Sequence, residues 1–345
     1  MPKILAYFAP WHIGKSAAAQ DVFVEPLRSR MELEIRVWDD TQKLPAPHVA
    51  SDIDGIVFFQ VEPPREWLEK LSGRIVWVPM WDAVSGWPPA RWQKFPNDLR
   101  IISFSKHIAA RTEAAALRTF QCQYFMDPSA CPATRWEGER VAFYWNRRGL
   151  VGTEFLRKFC AVAKVDRLLY RDDVDPILGA EHCRSTLPDR LGRTIIEPIP
   201  WLESRADYNK QLNRAQIFIA PRDSEGVGIA FLEMMARGCA VVAFDAPTMN
   251  EYITSGINGV LLPNFGGHWL GRMNARLSRK AMTVLATLGK QPAPRWTLIS
   301  ETQDWRQLAR LDFPKMGQRA RNDHVTGFAR WQDSVECLAK FVVGG

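Results

Sequence analysis

Short apolar runs recur through the first part of the chain: KILAYFA (3–9), LEIRVW (33–38), IDGIVFFQ (53–60), RIVWVP (74–79) and LRIISF (99–104). Runs of this length, bounded by polar and turn-forming residues, predict parallel strands buried on both faces. Between them SAAAQDVFVEPLRSR (16–30) and SKHIAARTEAAALR (105–118) can form helices. Strand and helix therefore alternate, which predicts an open parallel sheet covered on both sides.

The text changes at DPSACPATRWEGER (127–140), where two prolines, small residues and charges predict a linker. A second series follows, with predicted strands RVAFYW (140–145), VDRLLYR (165–171), RTIIEPI (193–199), AQIFIAP (215–221), CAVVAF (239–244) and GVLLP (259–263). Asn258-Gly259 predicts a tight turn before the last of these, because both residues tolerate positive φ. The closing stretch, FPKMGQRARNDHVTGFARWQDSVECLAKFV (313–342), has apolar positions at helical spacing and predicts one or two helices. Two Rossmann-like domains in tandem are the most economical architecture, and 345 residues suit two domains at about 150 residues each.

Composition adds limits. Apolar residues make up 46% and charged residues 24%, values of a globular protein rather than a disordered or collagenous one. Forty-five Lys and Arg against 38 Asp and Glu give a net charge of +7, which favours anionic ligands without choosing among phosphates, nucleic acid or a lipid surface. The six cysteines lie far apart with no C-x-x-C pair, as expected of reduced thiols in a cytosolic protein. Lys3 and the apolar start imitate a secretory signal, but Pro10, His12 and Lys15 cut the run to about eight residues, so it is read as a first strand. No later run approaches the roughly 18 apolar residues of a spanning helix, and the expected location is the cytoplasm.

The most informative text is residues 213–263, NRAQIFIAPRDSEGVGIAFLEMMARGCAVVAFDAPTMNEYITSGINGVLLP. A strand ending at Pro221 leads into a loop with Arg222, Asp223, Ser224 and Glu225, and then into a helix that ends at Gly238. Unpaired backbone N–H groups of Gly226, Val227 and Gly228 at a helix start can bind a diphosphate, and the two glycines permit close approach. The loop lies at the carboxyl end of a strand, where open α/β sheets bind ligands. Seven residues separate Glu225 from Glu233, so Glu233 is expected about two turns into the helix, facing the cleft that Glu225 borders. Carboxylates accept paired hydrogen bonds from vicinal hydroxyls, which suits one to a sugar and the other to a ribose.

Glu225-GVGIAFL-Glu233, followed by MMARGCAVVAF and SGINGVLLP, resembles the E-x7-E signature of GT-B glycosyltransferases of the retaining family 4 type. The resemblance extends over most of residues 193–345, whereas the first half shares only the rhythm of strands and helices. It implies an α/β fold of two Rossmann-like domains facing an interdomain cleft: an acceptor domain over 1–130 and a donor domain over 138–324. A C-terminal helix at about 325–345 would pack back on the first domain. It further implies that Glu225 contacts the donor sugar, that Glu233 contacts the nucleotide ribose, and that Gly226, Val227 and Gly228 meet sugar and phosphate.

The family places an Arg and a Lys after the first strand of the second domain to neutralise the diphosphate. Here YWNRRGLVG offers Arg147 or Arg148 and no Lys, so Arg147, Arg148 and Arg222 are the candidates for that task. Relatives often carry a His-Asp pair beside the transferred sugar; Asp82 matches, and Trp81 stands where the His would be. Ser103, Lys106 and His107 are secondary candidates, and His12 lies in the first strand-to-helix loop, where acceptors enter. The implied reaction is transfer from a nucleotide-diphosphate sugar, UDP or GDP type, to a saccharide or lipid-linked saccharide, with retention, without metal or other cofactor. It would serve cell-surface polysaccharide or glycoconjugate synthesis, with peripheral association at the inner membrane face as a secondary expectation.

Rival readings stay open at this point. An inverting enzyme would need a base, for which His12 and Asp82 are available. A hydrolysing nucleotide-sugar epimerase shares the fold. A basic nucleic-acid-binding protein is suggested by net charge alone and lacks a recognised motif. Asp173-Val-Asp175 matches a D-x-D metal motif of the other large glycosyltransferase fold, but it falls inside the second domain and is assigned no metal. Trp87, Trp92 and Phe95 in GWPPARWQKF are read as packing in preference to a sugar or membrane surface. The basic positions Arg306, Arg310, Lys315, Arg319 and Arg321 are read as a solvated helical face.

Overall fold

The computed structural model describes residues 1–10, 17–38, 52–147, 151–172, 187–200, 202, 204–220, 222–264 and 303–344, with side chains in the first helix described from residue 22. The chain divides into two compact units. Unit 1 comprises Met1–Met126, Glu225–Ile229 and Thr326–Gly345, and unit 2 comprises Asp127–Ser224 and Ala230–Val325.

Unit 1 is built on β1 (Lys3–Phe8), α1 (Ala17–Leu27), β2 (Glu32–Val37), β3 (Gly55–Phe59), α2 (Arg65–Leu71), β4 (Ile75–Val78), α3 (Trp81–Val84), α4 (Pro89–Trp92), β5 (Arg100–Ser103), α5 (Lys106–Ala114) and β6 (Arg118–Gln121). The six strands lie in the order β2-β1-β3-β4-β5-β6, and every pair is parallel. Strands β3 and β4 are buried along their whole length, which is why they appear in the sequence as unbroken apolar runs; β5 is buried as well, though it begins at Arg100 and ends at Ser103. The helix expected over 105–118 ends at Ala114, where the chain turns through Ala116 at φ 57° into β6. The aromatic side chains of GWPPARWQKF pack into the core: Trp92 and Phe95 are buried, with ring centroids 5.7 and 5.2 Å from Trp77. Trp87 packs 5.6 Å from Trp77, and the Arg91 guanidinium lies 3.5 Å over its ring.

Unit 2 continues with β7 (Val141–Trp145), α6 (Thr153–Val162), β8 (Arg167–Arg171), β9 (Arg190–Leu191), β10 (Thr194–Pro198), α7 (Arg205–Leu212), β11 (Ile217–Ile219), α8 (Ile229–Arg237), β12 (Ala240–Phe244), α9 (Met249–Tyr252), β13 (Gly259–Leu262) and α10 (Trp305–Ala309). Its strand order is β13-β12-β11-β7-β8-β10-β9, parallel except for the antiparallel β9. From β7 the chain runs outward to β8 on one side, and β11 later pairs on the other. The β7/β11 junction is therefore the switch point of the sheet, where the loops after these two strands diverge and leave a crevice for a ligand. The Asn-Gly turn takes a different form from the one expected: φ is positive at Gly256 (78°) and not at Asn258 or Gly259. Asn258 acts instead through its side chain, accepting from Thr254 N at 2.7 Å and donating to Tyr252 O at 3.1 Å and Asp323 at 2.8 Å.

The predicted closing helices are one, α11 (Phe313–Val343). Its last turn is held in unit 1 by Arg100, which is 2% exposed and donates from Nη1 to the carbonyls of Phe341 (2.6 Å) and Val342 (3.0 Å). A buried cation facing the last carbonyls of a helix satisfies acceptors left without intrahelical partners and complements the helix dipole. The Arg100→Leu variant is expected to lose about 2 kcal/mol of stability, read as a lower urea midpoint for the transition of unit 1. An unchanged midpoint would show that these bonds do not hold the helix end.

Candidate functional site

The carboxyl ends of β7 and β8 place a cationic and aromatic cluster in unit 2. Arg147, half-buried just beyond β7, and Arg171, the last residue of β8 and 4% exposed, lie with their guanidiniums 4.7 and 4.4 Å from the Trp145 ring centroid. Tyr208 of α7 adds its ring edge-on, 6.5 Å from Trp145, and Arg171 and Arg205 each stand 5.7 Å from the Tyr208 ring centroid. Stacking on aromatic faces holds guanidiniums in place without consuming their N–H donors. Burial pushes the Tyr208 phenol up, and the charges of Arg171, Arg205, Arg237 and Arg147 oppose that shift. Beneath Trp145, Asn146 is 1% exposed, accepting from the Tyr144 hydroxyl at 3.1 Å and donating to Tyr170 at 3.0 Å and Asp172 at 2.9 Å. That network fixes the backbone from which Arg147 projects.

Glu233 enters this cluster from α8. The helix is buried from Phe231 to Arg237, and Glu233 is 2% exposed. Its Oε1 forms an ion pair with Arg205, the first residue of α7. Arg237, one turn further along, donates to the Glu233 carbonyl (3.2 Å), to Asn213 (3.1 Å) and Asn209 (3.0 Å), and to the Cys131 sulfur (3.3 Å). Arg222 and Ser224 are half-buried in the loop after β11, and the Asp223 carbonyl accepts from Asn264 at 3.1 Å.

The start of α8 departs from expectation. The helix begins at Ile229 and not at Gly226, because Gly228 has φ 79°, a left-handed conformation that an α-helix cannot contain. Glu233 is thus little more than one turn into the helix, and Gly226, Val227 and Gly228 form a bend before it. Residues 225–229 cluster with unit 1. There Glu225 is 9% exposed, Val227 is buried, and a Cβ on Gly226 would come within 3.0 Å of Met80 Cβ and 3.2 Å of Asp82 Oδ1. Glycine at 226 therefore lets the bend lie directly on the segment that carries Asp82.

Nearby in unit 1, Trp81 is covered by His107 (ring centroids 5.4 Å apart) and by the Arg111 guanidinium at 4.4 Å. Ser103 is buried, its hydroxyl donating to the Ser105 carbonyl at 2.6 Å, whereas Lys106 and His107 are exposed. Ser105 caps α5 by accepting from His107 N. His12, Arg148, Asp173 and Asp175 lie outside the described residues. Among the described residues no group of three His, Cys, Asp or Glu is placed to hold a metal ion, and no helix is long and apolar enough to cross a membrane.

Arg171, Arg205, Tyr208 and Trp145 are absent from the sequence-level candidates. Two signals for them were present: Arg171 ends a predicted strand, the edge at which α/β sheets bind ligands, and Ser204-x-x-Asp207 is a helix-start pattern that places Arg205 at the first turn.

Comparison with known proteins agrees with this architecture. Residues 164–286 match the family described as "Glycosyl transferases group 1". Among curated proteins none matches the chain in sequence. In structure, HepE from Anabaena, solved in complex with UDP and glucose, aligns with 98% of this chain and 100% of its own at a TM-score of 0.54 and 12% identity. Sucrose-phosphate synthase from Thermosynechococcus elongatus and a glycosyltransferase from Rickettsia africae each align with 99% of this chain and 98% of their own, at a TM-score of 0.57 and 12% identity. The fold is that of GT-B glycosyltransferases. The region that matches group 1 falls largely in its second unit.

Proposed function

We propose that the protein moves a sugar from a nucleotide-diphosphate donor, UDP or GDP type, to a saccharide or lipid-linked saccharide acceptor. The observation that carries this reading is the buried Glu233 carboxylate paired with Arg205, together with the Arg147 and Arg171 guanidiniums stacked on Trp145 at the carboxyl ends of β7 and β8. A dianionic diphosphate needs such cations, and a ribose diol needs a carboxylate acceptor. Arg147 and Arg222, with Arg148, would neutralise the leaving diphosphate. Glu233 would accept from the ribose hydroxyls, Glu225 would contact the sugar, and the amides of Gly226, Val227 and Gly228 would meet sugar and phosphate. HepE, a neighbour in fold, was solved with UDP and glucose.

In the proposed reaction the bond from the sugar anomeric carbon to the diphosphate oxygen breaks, and the electron pair leaves with the diphosphate. An acceptor hydroxyl oxygen forms the new bond on the same face, and its proton passes to the departing phosphate. No protein base or metal is assigned a step; positioning and stabilisation of the leaving charge by arginines supply the acceleration. Location at the cytoplasmic side of a membrane and a role in cell-surface polysaccharide or glycoconjugate synthesis complete the proposal. Inversion remains the second reading because Asp82 lies where the Gly226 bend passes.

Thermal denaturation with UDP, GDP, ADP and CMP is expected to show one diphosphate raising the midpoint well above the rest, as binding to the native state alone requires. The matching nucleotide sugar should release that diphosphate faster when an acceptor is added. Equal release without acceptor, with no new glycoside, would identify the epimerase instead. A shift with none of the four would contradict the nucleotide site. The anomeric configuration of the product, read by NMR, decides between retention and a base at Asp82 or His12.

A further inference from the structure

We infer that Arg205 is a positioning residue for the nucleoside end of the donor: it pairs with one oxygen of Glu233 and so keeps that carboxylate aimed at the ribose hydroxyls. This rests on the assignment of Glu233 to the ribose.

Glu233 lies in the stretch of helix buried from Phe231 to Arg237, and a carboxylate in such a place is costly unless a cation and hydrogen bonds compensate it. The cation on its own helix does not serve. Arg237 reaches Glu233 only at the backbone carbonyl, and its other contacts go to Asn209, Asn213 and Cys131. Arg171 and Arg147 are stacked on Trp145. Among the described residues Arg205 is the cation that forms an ion pair with the carboxylate, at Oε1.

The base of Arg205 is fixed. Ser204 caps α7 by accepting from Asp207 N at 3.0 Å and donating to the Asp207 carboxylate at 2.7 Å. Asp207 is further engaged by Lys210 at 2.8 Å, so this neighbouring carboxylate does not compete for Arg205. The Arg205 side chain is 55% exposed while Glu233 is 3% exposed, so the pair spans from solvent to interior. With Oε1 held by Arg205, Oε2 becomes the oxygen for the ribose, and the site's preference for an intact diol depends on a residue that need not touch the ligand.

The test measures, by calorimetry, the affinities of UDP and 2′,3′-dideoxy-UDP, and of the corresponding guanine pair, for the wild type, Arg205→Gln, Arg205→Lys, Glu233→Gln and the double Gln variant. The wild type is expected to prefer the intact diol roughly tenfold or more, the worth of hydrogen bonds to a charged acceptor. Arg205→Gln should lose most of that preference with little change for the dideoxy ligand, and Arg205→Lys should recover it. Glu233→Gln should lose it too, with no further loss in the double variant. An Arg205→Gln protein that keeps the wild-type preference, even with weaker affinity for both ligands, overturns the inference and leaves the ribose role of Glu233 standing. If Glu233→Gln keeps the preference, or the wild type binds neither UDP nor GDP, the ribose assignment itself fails. Should Arg205→Gln not fold, loss of the preference in the cationic Arg205→Lys variant counts against the inference, and retention supports it.

Discussion

Replacing Glu225 by glutamine is expected to lower the turnover of sugar transfer about 10²–10³-fold, the range seen when a group that stabilises a transition state is removed. Glutamine keeps the size of the side chain and one acceptor oxygen, but it removes the charge beside the sugar as its bond to the diphosphate breaks. Glu225 is 9% exposed, in a setting where a charge acts more strongly than in bulk water. Because this residue faces the sugar in the proposed arrangement, affinity for the free nucleoside diphosphate should change by no more than about threefold. Initial rates at saturating donor, together with calorimetry of the diphosphate, separate the two quantities. A turnover within a few-fold of the wild type would remove Glu225 from the reacting centre.

The second large effect is on binding. Glu233→Ala is expected to weaken nucleoside diphosphate affinity about 100-fold, through loss of two hydrogen bonds to a charged acceptor. The same change leaves Arg205 without its carboxylate partner. Nucleotide lacking the ribose diol should bind the variant and the wild type alike, which distinguishes a lost contact from a collapsed pocket. A folded variant with wild-type affinity would exclude Glu233 from the ribose.

The fold was legible in the sequence where burial is complete. Strands β3, β4 and β12 are buried at every position, so each appears as an apolar run that needs no periodicity to find. Strand β6 escaped because RTFQ is an edge strand whose outer residues are exposed and whose inner ones are half-buried, a pattern shared with loops. Strand β9 is two residues long and carries no pattern at all. The helix over 229–237 was legible, but its start was not: SEGVG reads as a helix N-terminus until Gly228 is known to be left-handed.

The candidate site divides in the same way. Glu225, Gly226 and Glu233 lie within nine residues and form a pattern that a sequence can display. Trp145, Arg171, Arg205 and Tyr208 come from β7, β8 and α7, and only the order of strands in the sheet brings them together. No local spacing records that meeting. Asn258 shows a related effect, since its type was informative while its role was different: a turn residue by composition, it works as a buried hydrogen-bond partner of Asp323.

In the proposed arrangement a nucleoside diphosphate occupies the loop after β11 with its ribose on Glu233. The most direct measurement is a crystal structure of the protein grown with UDP or GDP, whichever raises the denaturation midpoint. Diphosphate density is expected against the amides of residues 226–228 with Arg147 or Arg222 on its oxygens, and ribose hydroxyls within hydrogen-bond distance of Glu233. Well-defined nucleotide density elsewhere, with Glu233 contacting no part of it, would rule out this site for the donor.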